Sequence, residues 1–135
     1  MAISDNTKLK QFLINTLRRA SYRHPGRYLA LKRAHIGRNQ YQCELCQKVV
    51  PRKEISLDHI VPVVDPAKGW ENLDVYAERM FVDETGYQSI CDECHDKKTL
   101  GENEVRKATR ASKKKTTKKA KKRAKFDHWE ILLEN

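Results

Sequence analysis

No stretch of this 135-residue chain approaches the run of about 18 apolar residues that a membrane-spanning helix needs, so no membrane span is expected. The first residues, "MAISDNTKLKQ", lack the apolar stretch of a secretory signal, and the expected compartment is a cytosol. Acid is missing altogether from residues 105–125. Hydrophobic residues make up 39% of the chain against 34% charged, which leaves material for only a small core. The length fits one domain with appendages, and a core that small usually needs a staple.

The cysteines supply a candidate staple. All four fall in two pairs, Cys43 and Cys46 in "CELC" and Cys91 and Cys94 in "CDEC". In a reducing compartment a disulfide framework is not expected. Two C-x2-C knuckles read instead as one tetrahedral zinc site with four thiolate ligands. The two-residue gap lets both thiolates of a knuckle reach one ion from a tight turn. The 44 residues between the knuckles exceed the insert of a compact zinc ribbon, so the ion would clamp the two ends of a sizeable unit.

The net charge of +10 is concentrated in one segment. Residues 105–125, "VRKATRASKKKTTKKAKKRAK", hold 12 of the 28 Lys and Arg residues, while residues 1–104 hold 16 basic and 15 acidic groups. Such a field suits contact with a phosphate backbone. A solvated, helical or disordered tail that aids solubility is the plainer alternative.

Periodicity predicts an amphipathic helix over 7–22 (Leu9, Phe12, Leu13, Thr16, Leu17, Ala20), a break at "HPG", and a second helix over about 27–35 ended by Gly37. Arg18, Arg19, Arg23, Lys32 and Arg33 face outward on these helices, to DNA or simply to solvent. "KVV" and "EISLDHI" read as two short strands around the turn "PRK". A helix over about 70–82 should pack Leu73, Tyr76, Ala77, Met80 and Phe81 on the core. "YQSI" reads as a strand leading into Cys91, and "DECHDKKTL" as a helix stopped by Gly101. The implied organisation is an N-terminal helical segment (1–39), a zinc-anchored core (40–103), a basic segment (104–125) and an amphipathic C-terminal segment (126–135). In the last of these Phe126, Trp129, Leu132 and Leu133 form one apolar stripe, docked on the body or offered to a partner.

Inside the apolar run "LDHIVPVV" stand Asp58 and His59, and directly after the last cysteine stands His95. A buried carboxylate is costly unless something pairs with it. A carboxylate and an imidazole can hold one divalent cation and leave positions open for water and phosphate oxygens. A further imidazole can take the proton of an attacking water. Hydrolysis of a phosphodiester needs those functions, with Asp58 and His95 on the metal and His59 as base. Neighbours in a regular strand point to opposite faces, so Asp58 and His59 can share a site only where the strand ends or bends. Surface decoration, for the dipeptide, and helix capping or zinc ligation, for His95, are the structural alternatives.

Taken together, "CELC", "LDHIVPVV" and "CDECHDKKT" resemble the HNH endonucleases of the ββα-metal, or His-Me finger, group. The likeness is to small HNH proteins encoded by bacteriophages, whose style the insert "WENLDVYAERMF" and the leader "RRASYRHPGRYLALKRA" also follow, and it spans roughly residues 10–103. It implies an α+β fold with a ββα-metal core, one structural Zn²⁺ and a separate catalytic divalent cation (Mg²⁺, Mn²⁺ or another transition metal). It puts Asp58 and His95 on the catalytic metal, His59 as general base and Lys98 on a phosphate. The middle Asn of the HNH name is the departure. Gly86 aligns at its place, and Asn72, the other candidate scaffold residue, lies 19 residues before Cys91.

The expectation is thus a metal-dependent endonuclease that hydrolyses DNA, by nicking or double-strand cleavage, to 5′-phosphate and 3′-hydroxyl ends. Lys97, Lys98, Arg106, Lys107, Arg110, Lys113, Lys114 and Lys115 are its candidate phosphate contacts. A zinc-anchored DNA-binding module without catalysis, and an accessory protein of a phage packaging or replication complex, are the rival readings. No base-reading helix stands out, because a lysine-rich segment reads phosphates.

Overall fold

A computed structural model describes residues 6–133, with side chains through residue 125. The chain is a mixed α+β fold: α1 (Thr7–Ser21), α2 (Pro25–Ala34), β1 (His35–Gly37), β2 (Gln40–Gln42), β3 (Val49–Val50), β4 (Ile55–His59), α3 (Leu73–Met80), β5 (Tyr87–Cys91) and α4 (Asp92–Leu133). Among the described residues no helix is long and apolar enough to cross a membrane. The apolar stripe at Phe126, Trp129, Leu132 and Leu133 lies outside the residues whose side chains are described.

Two small antiparallel sheets carry the fold, β1-β2-β3 and β4-β5. "KVV" and "EISLDHI" each contain a strand, as expected, but the two do not pair with each other. Pro51 opens a 3-10 turn at Arg52–Glu54, with the Glu54 amide on the Pro51 carbonyl at 3.0 Å, and the chain leaves one sheet for the other. β3 pairs with β2, so the first cysteine knuckle is the hairpin turn between them. In it the Cys43 amide donates to the Lys48 carbonyl at 2.9 Å, and Gln47 takes a positive φ of 63°. β4 pairs with β5 over five residue pairs, from Ile55↔Cys91 to His59↔Tyr87.

The helices also depart from the expected bounds. "HPG" breaks the chain after α1, but Pro25 and Gly26 open α2. A proline fits a helix's first turn, where its missing N–H is not needed. Gly26 is required by space, since a Cβ there would stand 2.8 Å from the Val82 carbonyl oxygen. α2 ends at Ala34, and Gly37 closes a short strand instead of the helix. α3 is shorter than the expected 70–82 because the Asn72 side chain caps it, accepting from the Val75 amide at 2.8 Å. Trp70 stays outside that helix and packs on Tyr76, with ring centroids 5.1 Å apart.

Gly101 does not stop α4, which runs unbroken from the second knuckle through the basic segment. One exposed glycine costs a helix interior only about 1 kcal/mol relative to alanine, and good helix formers follow it. On α1 the expected apolar stripe is only partly used. The helix packs on α3, yet Leu9 and Phe12 remain 41% and 65% exposed. The buried core is small, as composition requires: Cys43, Val50, Ile55, Ile90 and Cys91 form its centre, with Leu31, Tyr41 and Cys94 packed against it.

Candidate metal centre and adjoining cleft

The β2–β3 turn delivers Cys43 and Cys46, while the end of β5 and the first turn of α4 deliver Cys91 and Cys94. The four Sγ atoms lie within 4.8 Å of one another, and all four thiols are free. Cys46 Sγ and Cys91 Sγ are 3.7 Å apart. Four sulfurs at about 2.3 Å from a tetrahedral ion would sit about 3.8 Å apart, so the cluster fits a structural metal ion such as zinc. Among the described residues it is the group of three or more metal-ligating side chains that converges in this way.

The thiols are already electrostatically unequal. Burial pushes the Cys43 thiol up, but amides of Cys46, Cys91 and Leu45 outweigh it and bring it down to about 6. Cys94 is pushed up to about 12, by burial first and then by the neighbouring sulfurs. Cys43 thus gives up its proton readily while Cys91 and Cys94 hold theirs, and a divalent cation would remove the remaining protons.

The opposite end of the β4–β5 ladder borders a cleft of about 440 Å³. Asp58, His59, His95 and Lys98 line it together, so the strand end does bring the two neighbours to one space with His95 of α4. Asp58 is met by Lys98, whose ammonium also donates to the His59 carbonyl. Lys98 lies 3.7 Å from Glu102, and Glu102 lies 3.2 Å from Arg106, one turn further along the same face of α4.

His59 points towards α3, where its Nε2 is 3.0 Å from the Met80 carbonyl oxygen. A carbonyl only accepts, so Nε2 carries the proton and Nδ1 of the neutral ring holds the free lone pair. The ring packs on Tyr87 at 4.7 Å between centroids, and the Tyr87 hydroxyl donates to the same carbonyl at 3.1 Å. Burial holds the His59 imidazole below its ordinary value, against the Met80 hydrogen bond, which favours the charged form. The ring is therefore neutral at pH 7.

Gly86 ties the same loop through its backbone: its carbonyl accepts from the Ile60 amide at 3.0 Å. Asn72 is occupied as a helix cap and does not line the cleft. Lys97 is exposed on the outer side of α4, Arg106 lines the cleft, and Lys107, Arg110, Lys113, Lys114 and Lys115 continue exposed along the helix. Sequence reasoning missed Arg27, Tyr87, the Met80 carbonyl and Glu102 as parts of this site. Only the fold brings α2, α3 and β5 to the end of β4, so no local signal marks them.

No protein-family model matches the chain, and no curated protein or solved structure matches it either.

Proposed function

We propose that the chain is a metal-dependent DNA endonuclease of the HNH type, with the tetrad holding structural zinc. The observation that carries this reading is the single cleft lined by Asp58, His59 and His95, with His59 held through Nε2 on the Met80 carbonyl and its imidazole kept below its ordinary value by burial. Asp58 and His95 would hold a divalent cation, leaving positions for water and phosphate oxygen. Once bound, that ion supplies charge stabilisation at the phosphorane and the departing oxygen.

His59 takes a proton from water at Nδ1 as the water oxygen attacks phosphorus. The P–O3′ bond breaks, the 3′ oxygen takes a proton from solvent, and 5′-phosphate and 3′-hydroxyl ends result. The Met80 carbonyl and the Tyr87 ring hold the imidazole at this angle. Lys98, now on Asp58, is the cation an incoming metal would displace, which releases its ammonium to a phosphate oxygen.

The test is conversion of supercoiled plasmid with Mg²⁺ or Mn²⁺ by the wild type and by His59→Ala. The wild type should convert it and the variant should be slower by two orders of magnitude or more. Equal conversion would remove His59 from the role of base.

A second reading, a zinc-anchored DNA-binding module without catalysis, is favoured by the Lys98 ammonium lying on Asp58. It expects binding that weakens with salt and no cleavage under any divalent ion. Whether the chain serves a phage packaging or replication complex rests on the stripe at 126–135, outside the described side chains.

A further inference from the structure

Four cationic side chains line the cleft, and they are not equivalent. Lys98 is held by Asp58 and Glu102, and Arg106 by Glu102. Arg18 of α1 and Arg27 of α2 also line it, and among the described residues neither has a carboxylate within 4.0 Å. The two helices outside the core thus bring two uncompensated guanidinium groups to the wall of the cleft that contains His59.

Arg27 is also held in orientation. Its guanidinium carbon lies 5.1 Å from the Tyr22 ring centroid and 5.6 Å from that of Tyr87, the ring that packs on His59. Aromatic faces fix the plane of a guanidinium without neutralising it. A planar, charged fork that is free of carboxylate partners suits a phosphate diester.

α4 says which polyanion would lie there. It leaves the cleft at Lys98 and Arg106 and continues exposed and acid-free to Lys125. At 1.5 Å per residue the 27 steps from Lys98 to Lys125 span about 40 Å, the length of roughly 12 base pairs of duplex at 3.4 Å each.

We infer that Arg18 and Arg27 form a clamp for two backbone phosphates of duplex DNA flanking the one to be cut, one on each guanidinium, which makes α1 and α2 substrate-positioning elements. This rests on the endonuclease reading for the identity of the cut phosphate, and on the cleft alone for the clamp. Glu102 balances the opposite wall, so the phosphates are drawn towards the α1–α2 side.

The experiment is equilibrium binding of a fluorescein-labelled 20-base-pair DNA duplex to the zinc-loaded full chain, without added Mg²⁺, across a salt series. Each lost phosphate contact should flatten the plot of log K against log salt by about 0.9. Arg18→Gln with Arg27→Gln should therefore flatten it by about 1.8, Arg18→Lys with Arg27→Lys should retain most of the slope, and Lys53→Gln, outside the cleft, should leave it unchanged. Under cleavage conditions the double Gln variant should raise KM with kcat held within about twofold, as loss of uniform binding does.

An unchanged slope in a folded double Gln variant overturns the clamp, even if the wild type cuts DNA. A flattened slope in a chain that cuts nothing under any divalent ion supports the clamp and removes the endonuclease. A wild type that does not bind the duplex overturns the clamp outright. If the double variant does not fold, the single Arg18→Gln decides: Arg18 is exposed, and a slope flattened by about 0.9 supports the clamp while an unchanged one overturns it.

Discussion

Stripping zinc from the tetrad should cost this domain most of its stability, and the structure sets the size of the effect. Cys46 and Cys91 are 45 residues apart in sequence, yet their sulfurs lie 3.7 Å from each other. Cross-linking across that separation restricts the unfolded chain by about 4 kcal/mol in the chain-entropy treatment. Ligand bonds add to it and the cost of removing the Cys94 proton subtracts from it, so about 4 kcal/mol sets the scale, a thousandfold change in the folded-to-unfolded ratio. A domain of this size has about 5–15 kcal/mol in all, and here Cys43 and Cys91, 0% and 3% exposed, are two of the five residues at the core centre. Urea unfolding of zinc-loaded and chelator-stripped protein, followed by native-state hydrogen exchange of the β4 and β5 amides, measures the difference. The stripped form should unfold at far lower urea or be unfolded in buffer, with β4–β5 protection lost and zinc alone, not Mg²⁺, restoring it. A stripped protein within about 1 kcal/mol of the loaded form would refute the reasoning.

Lys98→Met frees Asp58 from its ammonium partner, so Mn²⁺ should bind about tenfold more tightly by calorimetric titration, the equivalent of one charged hydrogen bond of about 1.5 kcal/mol; an unchanged affinity would show that ammonium and ion do not compete for that carboxylate. Gly86→Asn should destabilise the fold by about 1–3 kcal/mol in urea unfolding, because a Cβ there meets the Val82 Cγ2 at 2.5 Å and the Val82 Cβ at 2.6 Å, and Gly86→Ala, which adds the Cβ alone, should cost a similar amount. Because His59 is held below its ordinary value of 6.5 chiefly by burial, its neutral form stabilises the fold above that pH. Stability should fall as pH drops from 6.5 through the lower folded-state value, where the unfolded chain binds more protons, and His59→Gln should flatten that part of the urea-midpoint profile.

What was legible in the sequence is what short-range chemistry encodes. Each C-x2-C pair can meet an ion only from a turn, and both knuckles do lie at turns or helix starts. The Asp58–His59 dipeptide stood out because apolar strands do not carry charge without a partner, and the partner proves to be Lys98, forty positions away. Less legible was anything fixed by distant packing. β4 chooses β5 over its sequence neighbour β3, because the Arg52–Glu54 turn redirects the chain and Ile55 and Ile90 then share one core. Gly101 was misleading for the opposite reason: a stop signal worth about 1 kcal/mol yields to the helix formers on either side. Arg27 carried no signal in the sequence, since only the placement of α2 sets it over Tyr87.

One five-pair ladder joins the cysteine tetrad, which could hold a structural metal ion, to the cleft. Cys91 pairs with Ile55 at one end and Tyr87 with His59 at the other. A two-stranded ladder alone is marginal in water, and a slip of one residue would turn Asp58 and His59 to the wrong faces. An ion on Cys91 would fix the register from one end, while the Ile60–Gly86 hydrogen bond closes it at the other. The same ion would hold Cys94 in the first turn of α4 and so fix the rotation of the helix that carries His95 and Lys98, one and four residues on. Register and helix rotation are the two quantities that bring Asp58, His59 and His95 to one cleft, and an ion at the tetrad would steady both.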